Sequence, residues 1–196
     1  MNKKSIALGL LVGAVIIAGT AAMIVSVQAG TVTVSATVAT SVSCSTATTT
    51  TAFGTLTTGV ITTSTPNVTT TMSCNYGAGC TLSVNDAGDT TNPGLWNSVA
   101  SHLVPSADAT LSAGVEGYGI QGAGTAAGTG GTLTIATKYL QTGNVVGGLS
   151  VSTVTLASSA APISGKEVVV THKAAISGLT SAGSYADTIT YGCTGN

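Results

Sequence analysis

The chain contains no arginine, and only five lysines and two histidines among its 196 residues. A basic footprint for nucleic acid is therefore missing, because phosphate contacts need clustered Lys and Arg. Acidic residues are nearly as scarce, six in all, so charged side chains make up 6% of the sequence. Aromatics are rare too: one tryptophan, one phenylalanine and five tyrosines. The nucleophile elbow GxSxG, the HExxH zinc motif and the phosphate-binding P-loop do not occur. So thin a set of reactive side chains predicts no catalytic residue, no cofactor and no metal ligand, and the chain reads as a non-enzyme.

Apolar runs are confined to the N-terminus. Lys3 and Lys4 are followed by an uncharged segment from Ser5 to Val27, and small residues, Val27 and Ala29, stand at the −3 and −1 positions before Gly30. A positive n-region, an apolar stretch and such a site describe a signal peptide over residues 1–29. The run is also long enough to span a bilayer, so the uncleaved alternative is an N-terminal membrane anchor. Either route places residues 30–196 outside the cytoplasm, in an extracellular or cell-surface location. From Gly30 on, three lysines face six acids, a net charge of −3. Polarity there comes from Thr and Ser hydroxyls, which suit a pleated strand because Thr is β-branched. Low charge also leaves sheet edges little protected against association.

The stretch TVTVSATVATSVSCS, Thr31–Ser45, places an apolar or small residue at every even position except Thr40. This is the period of a strand with one buried face. Its apolar side, Val32, Val34, Ala36 and Val38, either closes its own domain or is lent to a neighbouring subunit. Further runs read as short strands: FGTLTTGVITT, PNVTTTMSC, CTLSVNDAG, ATLSAGVEGYGI, GTLTIATKYL, LSVSTVTLA, KEVVVTHKAAI and SYADTITYGC, punctuated by Gly, Pro, Asn and Ser. GLWNSVASHL alone has helical spacing, through Leu95, Val99 and Leu103, and predicts a short helix or an irregular crossover. The Gly-rich segment Gly122–Gly131 reads as a hairpin loop. Residues 30–196 are expected to form a single all-β, antiparallel β-sandwich domain.

Cys44, Cys74, Cys80 and Cys193 all lie in the exported part. An even count in an oxidising compartment predicts two disulfides, with three connectivities open. GYGIQG at Gly117–Gly122 matches a dinucleotide-binding string, yet no helix follows it, so a close backbone approach in a strand is the better reading. His172 shares parity with Val168, Val170 and Ile176 and is expected to be a packed, hydrogen-bonded side chain. His102 has no acidic partner suggested by spacing. Asp86, Asp89 and Asp108, with Asn85 and Asn92, raise calcium, but the spacing is not that of an EF-hand and turn formation accounts for them. Asn67-Val68-Thr69 is a glycosylation sequon.

SATVATSVSCS leading to Cys44, FGTL at Phe53–Leu56, TTTMSC ending at Cys74, and AGSYADTITY at Ala182–Tyr191 together resemble the spore coat protein U and fimbrial pilin superfamily. The resemblance covers the two ends of the chain and not the middle, Ala87–Pro162. It implies an immunoglobulin-like, pilin-like sandwich, a Cys44–Cys74 disulfide that leaves Cys80 to Cys193, and a missing strand supplied by another subunit's N-terminal extension, here residues 30–43. The function it implies is a non-catalytic structural subunit of a pilus, fimbria or surface coat, a homo-oligomer or polymer. The alternative is a monomeric adhesion or glycan-binding module for a host surface, with Trp96, Tyr118 or Tyr139 on loops.

Overall fold

A computed structural model describes residues 30–196. The export segment expected over residues 1–29 lies outside the described residues. Two compact units divide the chain, Met1–Thr37 and Val38–Asn196. In the first, residues 30–37 have no regular secondary structure, and Val32 and Val34 are 88% and 89% exposed. The second is all-β, with several antiparallel sheets, one of them a curled half-barrel. Among the described residues no helix is long and apolar enough to cross a membrane.

The strands in chain order are β1 Val42–Thr46, β2 Thr62–Thr63, β3 Val68–Cys74, β4 Cys80–Asp86, β5 Gly94–Asn97, β6 His102–Pro105 and β7 Ala109–Thr110. They continue with β8 Gly117–Gly124, β9 Thr129–Gly130, β10 Leu133–Ile135, β11 Val145–Val146, β12 Val154–Ser159, β13 Ile163–Ala175 and β14 Ile189–Gly195. The spine is β13, whose β-branched run Val168–Thr171 suits an extended backbone. On one flank β3 pairs with Ile163–Val170 and β2 with Lys173–Ala174. On the other, β8 pairs with Val168–Ala175 and β9 with Ile163–Ser164. β1 extends this sheet beyond β3, and a second sheet runs β10-β12-β4-β14.

Strict alternation in β3 and β4 buries Val68, Met72 and Cys74 from one sheet with Cys80, Leu82 and Val84 from the other. Val168, Val170, Ile120 and Leu156 join them in one core. Each fully buried side chain of this size contributes about 1.5 to 3 kcal/mol. Glycines let the layers approach. At Gly119 an added Cβ would lie 2.6 Å from a Val146 methyl, and at Gly122 one would lie 3.1 Å from Ile135. GYGIQG is thus a strand, as its sequence context suggested.

Four expectations are corrected. The alternating stretch pairs only from Val42, while residues 31–41 form no ladder. GLWNSVASHL is a β5–β6 hairpin, not a helix, because the Asn97 side chain accepts the amides of Val99 and Ala100 and turns the chain. Gly122–Gly131 is not a hairpin loop: β8 and β9 lie along the same flank of β13, with residues 125–128 between them. The disulfides join Cys44 to Cys193 and Cys74 to Cys80, not Cys44 to Cys74. The reason is topological. β1 and β3 belong to one sheet, where Cys44 stands opposite Met72, whereas β14 in the other sheet passes over Cys44.

Peptide mapping of the unreduced protein is expected to recover Cys44 with Cys193 and Cys74 with Cys80; a Cys44–Cys74 peptide would overturn this pairing. The first bond links residues 149 apart and the second residues 6 apart. By chain entropy, the double variant C44A/C193A should lose about 4 to 5 kcal/mol of stability and C74A/C80A about 2, measured by urea unfolding.

Candidate functional site

A groove of about 880 Å³ lies in the unit Val38–Asn196. One wall is the connection between β1 and β2, through Phe53 and Leu56. The facing wall is the segment between β13 and β14, including Tyr185 and Asp187. Leu95, Tyr118, His172 and Ile189 reach it from β5, β8, β13 and β14. The lining mixes apolar side chains with Ser and Thr hydroxyls, and its floor holds buried polar groups.

The Tyr118 hydroxyl lies 2.9 Å from His172 Nδ1, with the two rings stacked, and Phe53 meets Tyr118 edge-on. β13 aims His172 inward because it alternates with Val168 and Val170. Its Nε2 is buried without a protein partner, and desolvation lowers the ring's pKa to about 4. Burial, then the nearby Asp187 and Asp86 carboxyls, push the Tyr118 hydroxyl well above its ordinary range. His172 is therefore the packed, hydrogen-bonded residue its parity suggested.

Behind the groove wall, Asp86 ends β4 and stands opposite Ile189, which brings it to Asp187. Asp86 is 1% exposed, and neither of its carboxyl oxygens completes a hydrogen bond to a protein donor. Asp187 Oδ1 accepts the Gly88 amide at 3.2 Å, while Oδ2 is buried without such a partner. Desolvation, followed by Asp187, raises the Asp86 pKa to about 8. Nothing in the sequence paired these two aspartates, since they are 101 positions apart and meet only through the β4–β14 ladder.

The other aspartates do not join them. Asp89 Oδ1 accepts the amides of Thr91 and Asn92, which lowers its pKa, and Asp108 Oδ1 accepts the Gly148 amide at 2.7 Å. Asp89 forms a turn, whereas Asp108, also 3.5 Å from Lys138 Nζ, is a long-range tie, and among the described residues no three His, Cys, Asp or Glu side chains group to hold a metal. His102 does have an acidic partner: its Nε2 lies 2.9 Å from Glu116 Oε1, which also accepts from Thr180 and Ser177. That carboxylate ties β6, the start of β8 and the segment after β13 together. Among the described residues neither histidine hydrogen-bonds to a serine, threonine or cysteine. Tyr118 and Tyr139 are buried and Trp96 is half-buried, so these rings form no exposed platform for a glycan. Val32, Val34 and Val38 are exposed, and Ala36 is exposed beside them.

No protein-family model, no curated protein and no solved structure matches the chain.

A histidine held neutral by burial contributes stability that is full above its unfolded pKa of 6.5 and lost as pH falls toward about 4. The stability of wild type relative to H172Q is therefore expected to fall over that window, by up to about 1.4 kcal/mol per pH unit. Urea unfolding of both proteins at several pH values measures it; parallel profiles would show that His172 does not stay neutral.

Proposed function

We propose that this protein is a non-catalytic, exported structural subunit of a pilus, fimbria or surface coat, built on an immunoglobulin-like, pilin-like sandwich and assembled by strand donation. The observation that carries the reading is the N-terminal stretch itself. Val32, Val34, Ala36 and Val38 have the period of a half-buried strand, yet they are exposed and belong to no ladder. A segment patterned for burial and left exposed is suited to another copy of the chain. Each Val that becomes buried would contribute about 1.5 to 3 kcal/mol, and backbone pairing would add register.

The receiving site in this reading is the groove. β14 is paired with β4 on one side and with no described strand on the other. At Cys193 that open side is closed by the disulfide, because Cys44 and Cys193 have Cα atoms 6.0 Å apart. An inserted strand needs two strand spacings, roughly 9.6 Å. Insertion is therefore restricted to the Ile189 end of β14, where the groove, with Phe53 and Leu56, lies beside it. Two disulfides fit an oxidising, extracytoplasmic compartment. The adhesion alternative draws no support from the buried tyrosines.

The oligomeric state of the oxidised Gly30–Asn196 chain tests the proposal, by size exclusion with light scattering and negative-stain imaging. Fibres or ladders are expected. Deleting residues 30–37 should leave a monomer with unchanged thermal stability, because Ala39 and Ser41 keep their hydrogen bonds to Asn75. A peptide of sequence TVTVSATV should then bind the truncated monomer. A monodisperse monomer before and after truncation would sink the reading.

A further inference from the structure

We propose that Asp86 and Asp187 share a single proton, and that this proton is a clasp fastening the Asp187 wall of the groove to the end of β4. The geometry asks for it. Three of the four carboxyl oxygens in the pair are buried without a well-formed hydrogen bond, although the Gly88 and Gly94 amides lie near Asp86 and the Tyr118 hydroxyl near Asp187, and the remaining one takes the Gly88 amide. Two adjacent carboxylates in such a place would repel each other and leave buried acceptors unpaired, each a cost of about 1 to 3 kcal/mol or more. One O–H from Asp86 to Asp187 removes a charge and pairs two oxygens at once.

The groups around the pair supply no competing cation. β8 contributes Tyr118 and β14 contributes Tyr191, a hydroxyl also buried without a partner and held protonated by burial and Asp187. β13 contributes His172, which is neutral and bonded to Tyr118. β5 and β12 carry no ionisable side chain. The amides of Gly88 and Gly94 favour the ionised form of Asp86 only weakly against desolvation. Amides facing the pair are also the wrong dipole for a metal ion, which would be met by carbonyls.

The clasp sits where loss of its proton would be felt. Ala87 donates its amide to the Thr188 carbonyl, and Ala186 exchanges two backbone hydrogen bonds with Trp96 of β5. The segment carrying Asp187 is therefore stitched to both β4 and β5 beside the pair. When the proton leaves to solvent, two negative charges remain in contact and push this segment from β4. The sign follows from the raised Asp86 pKa, about 8 folded against 3.8 unfolded. The clasp's stability is full below pH 3.8 and declines as pH rises to about 8. From pH 4 to 6.5 His172 acts with the opposite sign, so the sum is level there and falls only between pH 6.5 and 8. This inference does not depend on strand donation.

Carbon-13 labelling of aspartate in the unaltered protein tests it directly. One carboxyl resonance is expected to titrate near pH 8, and all four aspartates titrating below pH 5 would overturn the clasp. Fluorescence of Trp96, the only tryptophan, provides a second readout. A change with a midpoint near pH 8 is expected in wild type and in H172Q, and its loss in D86N and D187N. Persistence of that midpoint in folded D86N would overturn the assignment. So would a calcium-induced gain in stability above pH 8 that D86N abolishes, since a bound cation would then occupy the place of the proton.

Discussion

The Cys44–Cys193 bond ties the first strand of the structure to the last, and it ties one sheet to the other. The core that it closes mixes small side chains such as Val84, Ala157 and Ala174 with larger ones such as Met72, Leu82, Ile120 and Tyr118. A cross-link that restricts the unfolded chain's freedom adds to the stability that this packing supplies. The Cys74–Cys80 bond does the same at the corner where β3 of one sheet leads to β4 of the other.

The same bond fixes where β1 and β14 meet. With β1 held against β14 at Cys193, the Ile189 end of β14 borders the groove. Its floor is not apolar throughout. Tyr118 with His172, and Asp86 with Asp187, put hydrogen-bonding and ionisable groups under its lining. Buried polar groups that satisfy one another hold the strands from which they project in one arrangement. The groove wall thus depends on the protonation of groups that its surface hides.

Much of the architecture was legible along the chain. The β3 and β13 segments alternate clearly enough to predict both their strands and their buried faces, including the inward His172. Where the reading failed, a local hydrogen bond or a distant neighbour decided. Leu95, Val99 and Leu103 have helical spacing, but one Asn97 side chain captures two amides and makes a hairpin. The glycines of Gly122–Gly131 suggest a turn, yet most of them follow one edge of β13, where the absence of a side chain serves close approach. Spacing offered His102 no partner, and the fold delivers Glu116 from the connection that leads into β8.

By itself the sequence determined the all-β class, the hydroxyl-rich faces, the presence of two disulfides and the amphipathic period of Thr31–Ser45. Each is a property of composition or of a period of two, and a period is carried by neighbouring residues. Tertiary structure alone decided which cysteines meet, that the alternating stretch pairs only from Val42, and that Asp86 lies against Asp187. These depend on which strands cross and at what register, and register is set by the whole sheet rather than by any one segment.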